Sequence, residues 1–183
     1  MLRRETRALH EDVERRVDLM NRVGTPSDYR TLLEKFYGVY RPMEAQIQRA
    51  DGEISRWLPD IGDRRRTALL ESDLHVLGNK CPDALTLAPI QAFRSLGDYL
   101  GCLYVLEGST LGGQIITRYI RERLPYTSRH GCAFFSSYGA ETARRWRIFL
   151  EAIESYSTIH PEEHRNMVAS AACTYRTFAD WIA

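Results

Sequence analysis

Four residues near the N-terminus have types and spacing that could hold a metal-centred anion. Arg3, Arg7, His10 and Glu14 follow one another at steps of four, three and four residues, so a helix would put them on one face. A neutral imidazole can give one ring nitrogen to a metal and the other to a carboxylate such as Glu14, directly or through water. Arginines one and two turns back can meet anionic groups with forked hydrogen bonds. The same pattern also fits a partly buried histidine beside an ordinary i,i+4 pair, and on its own it leaves both readings open.

The second feature is a set of glycines. Gly97, Gly101, Gly108 and Gly112 are spaced by four, seven and four residues. At about 100° per residue they share one helix face. Each glycine inside a helix costs about 0.5 to 1 kcal/mol relative to alanine. With Gly113 the sum is several kcal/mol, a large share of typical net stability. Two explanations are available. Small residues let another helix pack closely, or a flat, bulky ligand lies against bare backbone. The Gly112-Gly113 pair also lets the helix bend, which alanine would resist.

Other reactive side chains carry weaker patterns. His160 and His164 are four apart, but the start-like sequence around Pro161 points to capping and surface roles. Cys81, Cys102, Cys132 and Cys173 form no CxxC pair and stand near no histidine at zinc spacing. They read as free thiols of a reducing compartment, with Cys102 and Cys173 as small core residues. Trp57, Trp146 and Trp181 are scattered and suit packing.

The elements that must position these groups read as helices. Apolar or part-apolar residues from Leu2 to Met20 recur at steps of three and four. A second helix opens with Thr25 as N-cap, Pro26 at the first position and Asp28 in the first turn. Pro42 marks a kink within it. The pattern predicts further helices over Arg64–Leu77, ending at Gly78-Asn79, then Ile90–Leu124, Ala140–Tyr156, and from Pro161 to the C-terminus. A connector rich in proline and threonine runs from Pro82 to Pro89. No hairpin signal, internal repeat or long linker interrupts the series. The expected fold class is all-α, six to eight helices in a single bundle-like domain over residues 1–183.

Composition limits the function classes. The chain has 183 residues, 44% of them hydrophobic, and a formal net charge of +1. That balance does not indicate a general nucleic-acid surface. No apolar run approaches the roughly 20 residues of a membrane helix, and the N-terminus is charged at once, unlike a signal peptide. A cytoplasmic protein is expected, with neither nucleic acid nor membrane as partner.

Two stretches resemble one family. Leu2-Arg-Arg-Glu-Thr-Arg-Ala-Leu-His10-Glu-Asp-Val-Glu14 is similar to the proximal helix of haem oxygenases. Tyr104-Val-Leu-Glu-Gly-Ser-Thr-Leu-Gly-Gly-Gln114 is similar to their distal helix, most of all in the bacterial group associated with bacteriophytochromes. The resemblance covers nearly the whole chain in length and helix order. It implies haem held between the first helix and a bent glycine helix, with His10 as iron ligand and Glu14 as its partner. It implies Arg3, Arg7 and, on a looser alignment, Arg147 on the propionate side, with Tyr175 close to the haem. Gly108, Ser109, Gly112 and Gly113 would frame the oxygen site. The implied reaction is oxidative cleavage of haem to biliverdin, carbon monoxide and ferrous iron, using oxygen and electrons from an external donor such as a ferredoxin. A bacteriophytochrome accepting biliverdin is a further implied partner. One departure stands out: many members carry an aspartate just after the first distal glycine, and here that position is Ser109. A haem carrier without turnover and a thiaminase-like enzyme of similar architecture are the rival readings. The second would need an activated cysteine, and no cysteine has an evident activating neighbour.

Overall fold

The computed structural model describes residues 2–78 and 85–183. Among these residues are ten α-helices: α1 (Leu2–Val17), α2 (Leu19–Arg22), α3 (Pro26–Arg49), α4 (Asp51–Ile54), α5 (Thr67–Val76), α6 (Leu96–Gly108), α7 (Gly113–Arg123), α8 (Ala133–Ser136), α9 (Thr142–Ile159) and α10 (His164–Ile182). Short 3-10 segments lie at Ile61–Arg64, Ser109–Gly112, Gly139–Glu141 and Pro161–Glu163. The described residues contain isolated β-bridges around Thr127 and no strand, in keeping with the all-α expectation.

Local chemistry explains where the helices begin and break. Thr25 and Asp28 form a reciprocal capping box at the start of α3, with Asp28 N donating to Thr25 Oγ1 at 3.2 Å and Thr25 N to Asp28 Oδ2 at 2.9 Å. The expected kink at Pro42 does not end that helix, which runs on to Arg49. The first predicted helix is divided. Asp18 takes left-handed backbone angles, φ 36° and ψ 47°, and separates α1 from α2.

The predicted helix from Ile90 to Leu124 needs a larger correction. It starts at Leu96, where Ser95 and Asp98 make a second capping box. The Gln91 carbonyl and the Phe93 amide are bonded instead to the Gln46 side chain of α3, at 2.9 and 3.0 Å. Those backbone groups are spent on α3 rather than on a helix. The Arg64–Leu77 prediction also splits, into a 3-10 turn and α5. The last two helices start a little late, behind 3-10 turns at Gly139–Glu141 and Pro161–Glu163. Helix α8 was not foreseen: it is set by Asp73, whose carboxylate accepts from the Ala133 and Phe134 amides at 2.9 and 2.8 Å. Cys81, Asn79 and Pro82 lie outside the described residues.

Helix α10 organises the packing, lying against α6 and α1 and touching α3. The α6–α10 approach depends on Gly101. A β-carbon there would run into the backbone carbonyl of Met167, with Ser170 beside it. Gly97 is similarly closed off by Glu163, and Gly113 by the carbonyl of Phe135. For these three glycines the close-packing explanation holds. Gly101→Ala is therefore expected to cost about 1 to 3 kcal/mol, the usual range for overpacking. A urea midpoint equal to wild type would refute it.

Candidate functional site

A cleft of about 850 Å³ opens between α1 and the break between α6 and α7. This is within the size range of small-molecule and cofactor sites, about 300 to 1,000 Å³. One wall is His10, Val13, Glu14 and Val17 of α1. The facing wall runs from Gly108 to Gly113 and on to Ile115 and Ile116. Phe36, Phe134, Phe135, Tyr175, Phe178 and Arg66 also line it, with the 18–21 segment at one end. Apart from a few polar groups the lining is apolar, which suits a large flat hydrophobic ligand.

His10 is half exposed, at 50%, because its ring stands in the cleft wall. Its Nδ1 lies 3.7 Å from Glu14 Oε2. The edge of the ring meets Tyr175 at right angles, with centroids 5.8 Å apart. Tyr175 is buried, and burial raises the pKa of its hydroxyl. The three arginines assigned to the anionic side lie outside these walls. Arg3 is exposed on α1. Arg7 is paired with Glu11 at 2.8 Å and Arg147 with Glu151 at 4.0 Å, both in solvent.

The glycine face divides by function. Gly108 leaves ordinary contact space before Trp146, whose ring is 3.7 Å from a built β-carbon. Around Gly112 such an atom meets nothing within 4 Å. Gly112 therefore presents bare backbone to the cleft; Gly108 also lines it, but its missing side chain faces Trp146, which lies outside the cleft wall, and Gly97 and Gly101 serve packing. Gly113 borders the cleft but owes its size to Phe135.

Ser109 begins the 3-10 segment and carries a polar network. Its hydroxyl donates to the Leu106 carbonyl at 2.7 Å. A hydroxyl has one proton, so at the 2.8 Å contact with Tyr40 the phenol is the donor. Tyr40 OH in turn accepts from Arg66 Nη2 at 3.0 Å. Arg66 is 3% exposed. Burial works against its charge, but Tyr40, Glu107, Tyr138 and Glu44 outweigh that and raise its pKa. Sequence reasoning missed Arg66, because Arg64-Arg65-Arg66 reads as a solvated run. Glu107 was missed too. It is buried beside Arg64, to which it is ion-paired, and accepts from Tyr138 OH at 2.9 Å.

Comparison with known proteins places this geometry. A family model described as Heme oxygenase matches residues 1–183. The chain belongs to the heme oxygenase family. Among curated heme oxygenases, that of Xanthomonas campestris pv. campestris is 38% identical over 107 residues, 56% of this chain and 61% of that protein. Heme oxygenase PigA of Pseudomonas aeruginosa is 25% identical over 127 residues, 69% of this chain and 63% of its own length. The matches thus span about six tenths of these relatives. The fold is that of solved heme oxygenases. The Neisseria meningitidis structure, with NO and CO bound, superposes with a TM-score of 0.85 at 19% identity, covering 99% of this chain and 87% of that one. The Leptospira interrogans structure gives 0.77 at 19% identity, over 99% and 96%. As in the sequence reading, no helix among the described residues is long and apolar enough to cross a membrane. Among the described residues no cysteine lines the cleft. Burial pushes the Cys102 thiol up to about 12, as befits a core residue.

Proposed function

We propose that this protein is a haem oxygenase in activity as well as in family: it cleaves haem to biliverdin, carbon monoxide and ferrous iron with oxygen and external electrons. The observation that carries this is the pairing across one cleft of an accessible imidazole, His10, with bare backbone at Gly112. The residues fit the group, since the walls are apolar and the single imidazole is half exposed to the cleft. When bound, haem supplies the iron and the ring on which oxygen is activated, and is itself the substrate.

The chain's own residues supply binding, orientation and access. His10 offers a nitrogen to the metal, and Glu14 is near enough to orient the ring, directly or through water. Tyr175 fixes the imidazole by its edge contact. Val13, Val17, Phe36 and Phe178 exclude water from the apolar part of the cleft. The missing side chain at Gly112 leaves room for a small molecule, and Ser109 lies between it and Gly108 in the cleft wall. Arg3, Arg7 and Arg147 are assigned to the charged, solvent-facing edge of the ligand, where exposed cations add modest affinity. An external reductant such as a ferredoxin is a required partner of this chemistry. A bacteriophytochrome is proposed as acceptor of the bilin, on the likeness of the distal stretch.

The test is direct. Purified protein with haemin, a reductant, air and catalase should yield a bilin, identified by chromatography, together with released carbon monoxide. If haemin binds but neither product forms with any competent reductant, the protein is a haem carrier, a reading kept alive by Ser109 at the usual aspartate position.

A further inference from the structure

Arg66 is a buried cation with spare donors at the edge of the cleft. A guanidinium carries five N–H groups. Nη2 donates to the Tyr40 phenol at 3.0 Å and to the Leu106 carbonyl, which uses both of its hydrogens. Nη1 has only a long contact, 3.5 Å, to Ser109 Oγ. Nε is buried and makes no hydrogen bond. Among the described residues none of the Arg66 side-chain hydrogen bonds goes to a carboxylate. The nearby acids are engaged elsewhere. Glu107 pairs with Arg64, and Glu44 accepts from the Arg66 and Thr67 amides at 2.8 and 3.0 Å, capping the start of α5. That cap, with stacking of the guanidinium 5.0 Å from the Tyr40 ring and 5.6 Å from Phe134, fixes the side chain in place.

We propose that Arg66 is the distal cation of this cleft, donating from Nη1 beside Ser109 to an anion bound on the metal, or to the water that precedes it. The inference rests on the haem reading above. It puts a positive charge beside Ser109, at the start of the 3-10 segment in the cleft wall. An arginine holds and polarises but does not release a proton. The proton must then come from water held there, because the Ser109 hydroxyl hydrogen is committed to the Leu106 carbonyl. Buried, charge-assisted hydrogen bonds are the strong ones, so the effect on an anionic ligand is large and that on a neutral one small.

The experiment is ligand titration of the haemin-loaded ferric protein, followed by the Soret band. Azide is the anionic probe and N-methylimidazole the neutral one. Arg66→Met should weaken azide by at least about tenfold, as expected for loss of a charged donor, and change N-methylimidazole by less than about threefold. A merely structural role would weaken both alike. Ser109→Asp provides a second route: its carboxylate, beside Nη1, should neutralise Arg66 and also weaken azide by at least about tenfold. A folded, haemin-binding Arg66→Met protein with wild-type azide affinity overturns the proposal. If Arg66→Met does not fold, unchanged azide affinity in Ser109→Asp overturns it. Failure of wild-type protein to bind haemin sinks the haem reading itself, a result distinct from either.

Discussion

Haemin added to the His10→Ala protein will give no imidazole-ligated Soret band, and free imidazole will restore part of it. The variant should fold normally, because the His10 ring is half exposed and stands in the cleft wall. Loss of the spectrum can therefore be assigned to loss of the ligand rather than of the cleft. Removing a group that merely orients a metal ligand costs about 10- to 100-fold in affinity or activity. Removing the ligand should exceed that, so bilin formation should fall by more than about 100-fold, while Glu14→Gln falls within that range. An unchanged Soret band and haemin affinity in His10→Ala would show that another group binds the iron.

Gly112→Leu should separate folding from turnover. A β-carbon at this position meets nothing within 4 Å, and leucine favours helix over glycine by somewhat under about 1 kcal/mol. The urea midpoint should hold or rise slightly. Bilin production should collapse by about 100-fold or more, because the new side chain enters the space from which about 3 kcal/mol or more of barrier lowering is then lost. Gly101→Ala is the contrasting case, damaging stability through the Met167 carbonyl and leaving the cleft walls in place. Normal bilin output from Gly112→Leu would mean that the distal glycines serve packing alone.

That contrast shows what could be read from the sequence and what could not. Glycines at four-residue spacing announce a face of bare backbone, but both explanations predict the same spacing. Only the tertiary packing, with Glu163 against Gly97, α10 against Gly101 and open space at Gly112, tells the two explanations apart. The Thr25–Asp28 cap was legible because it is local. The start of α6 carries the same local signal in Ser95 and Asp98, and the longer expected helix does not form because Gln46, 45 residues from Gln91, holds the Gln91–Phe93 backbone out of it. His10 and Glu14 were found by helical periodicity, and both line the cleft. Arg66 was invisible for the opposite reason. Its role depends on burial under Tyr40 and on the cap from Glu44, and nothing in a run of three arginines distinguishes the one that turns inward.

The 3-10 segment at Ser109–Gly112 does more than bend the chain. A 3-10 turn advances about 120° per residue, against about 100° in an α-helix. Over four residues the screw phase slips by about 80°, and the rise lengthens by about 2 Å. Helices α6 and α7 therefore do not share one continuous helical wheel. Each is keyed separately, α6 to α10 by Gly101 and α7 to α8 by Gly113. The distal wall is the joint between two separately registered rods, so its shape depends on the packing of Gly101 and Gly113 as well as on the hydrogen bonds that Ser109 and Thr110 make from within it. Lengthening or shortening that joint by one residue would turn one rod against the other by roughly a third of a revolution, and Gly101 and Gly113 could no longer both face the carbonyls they are sized for.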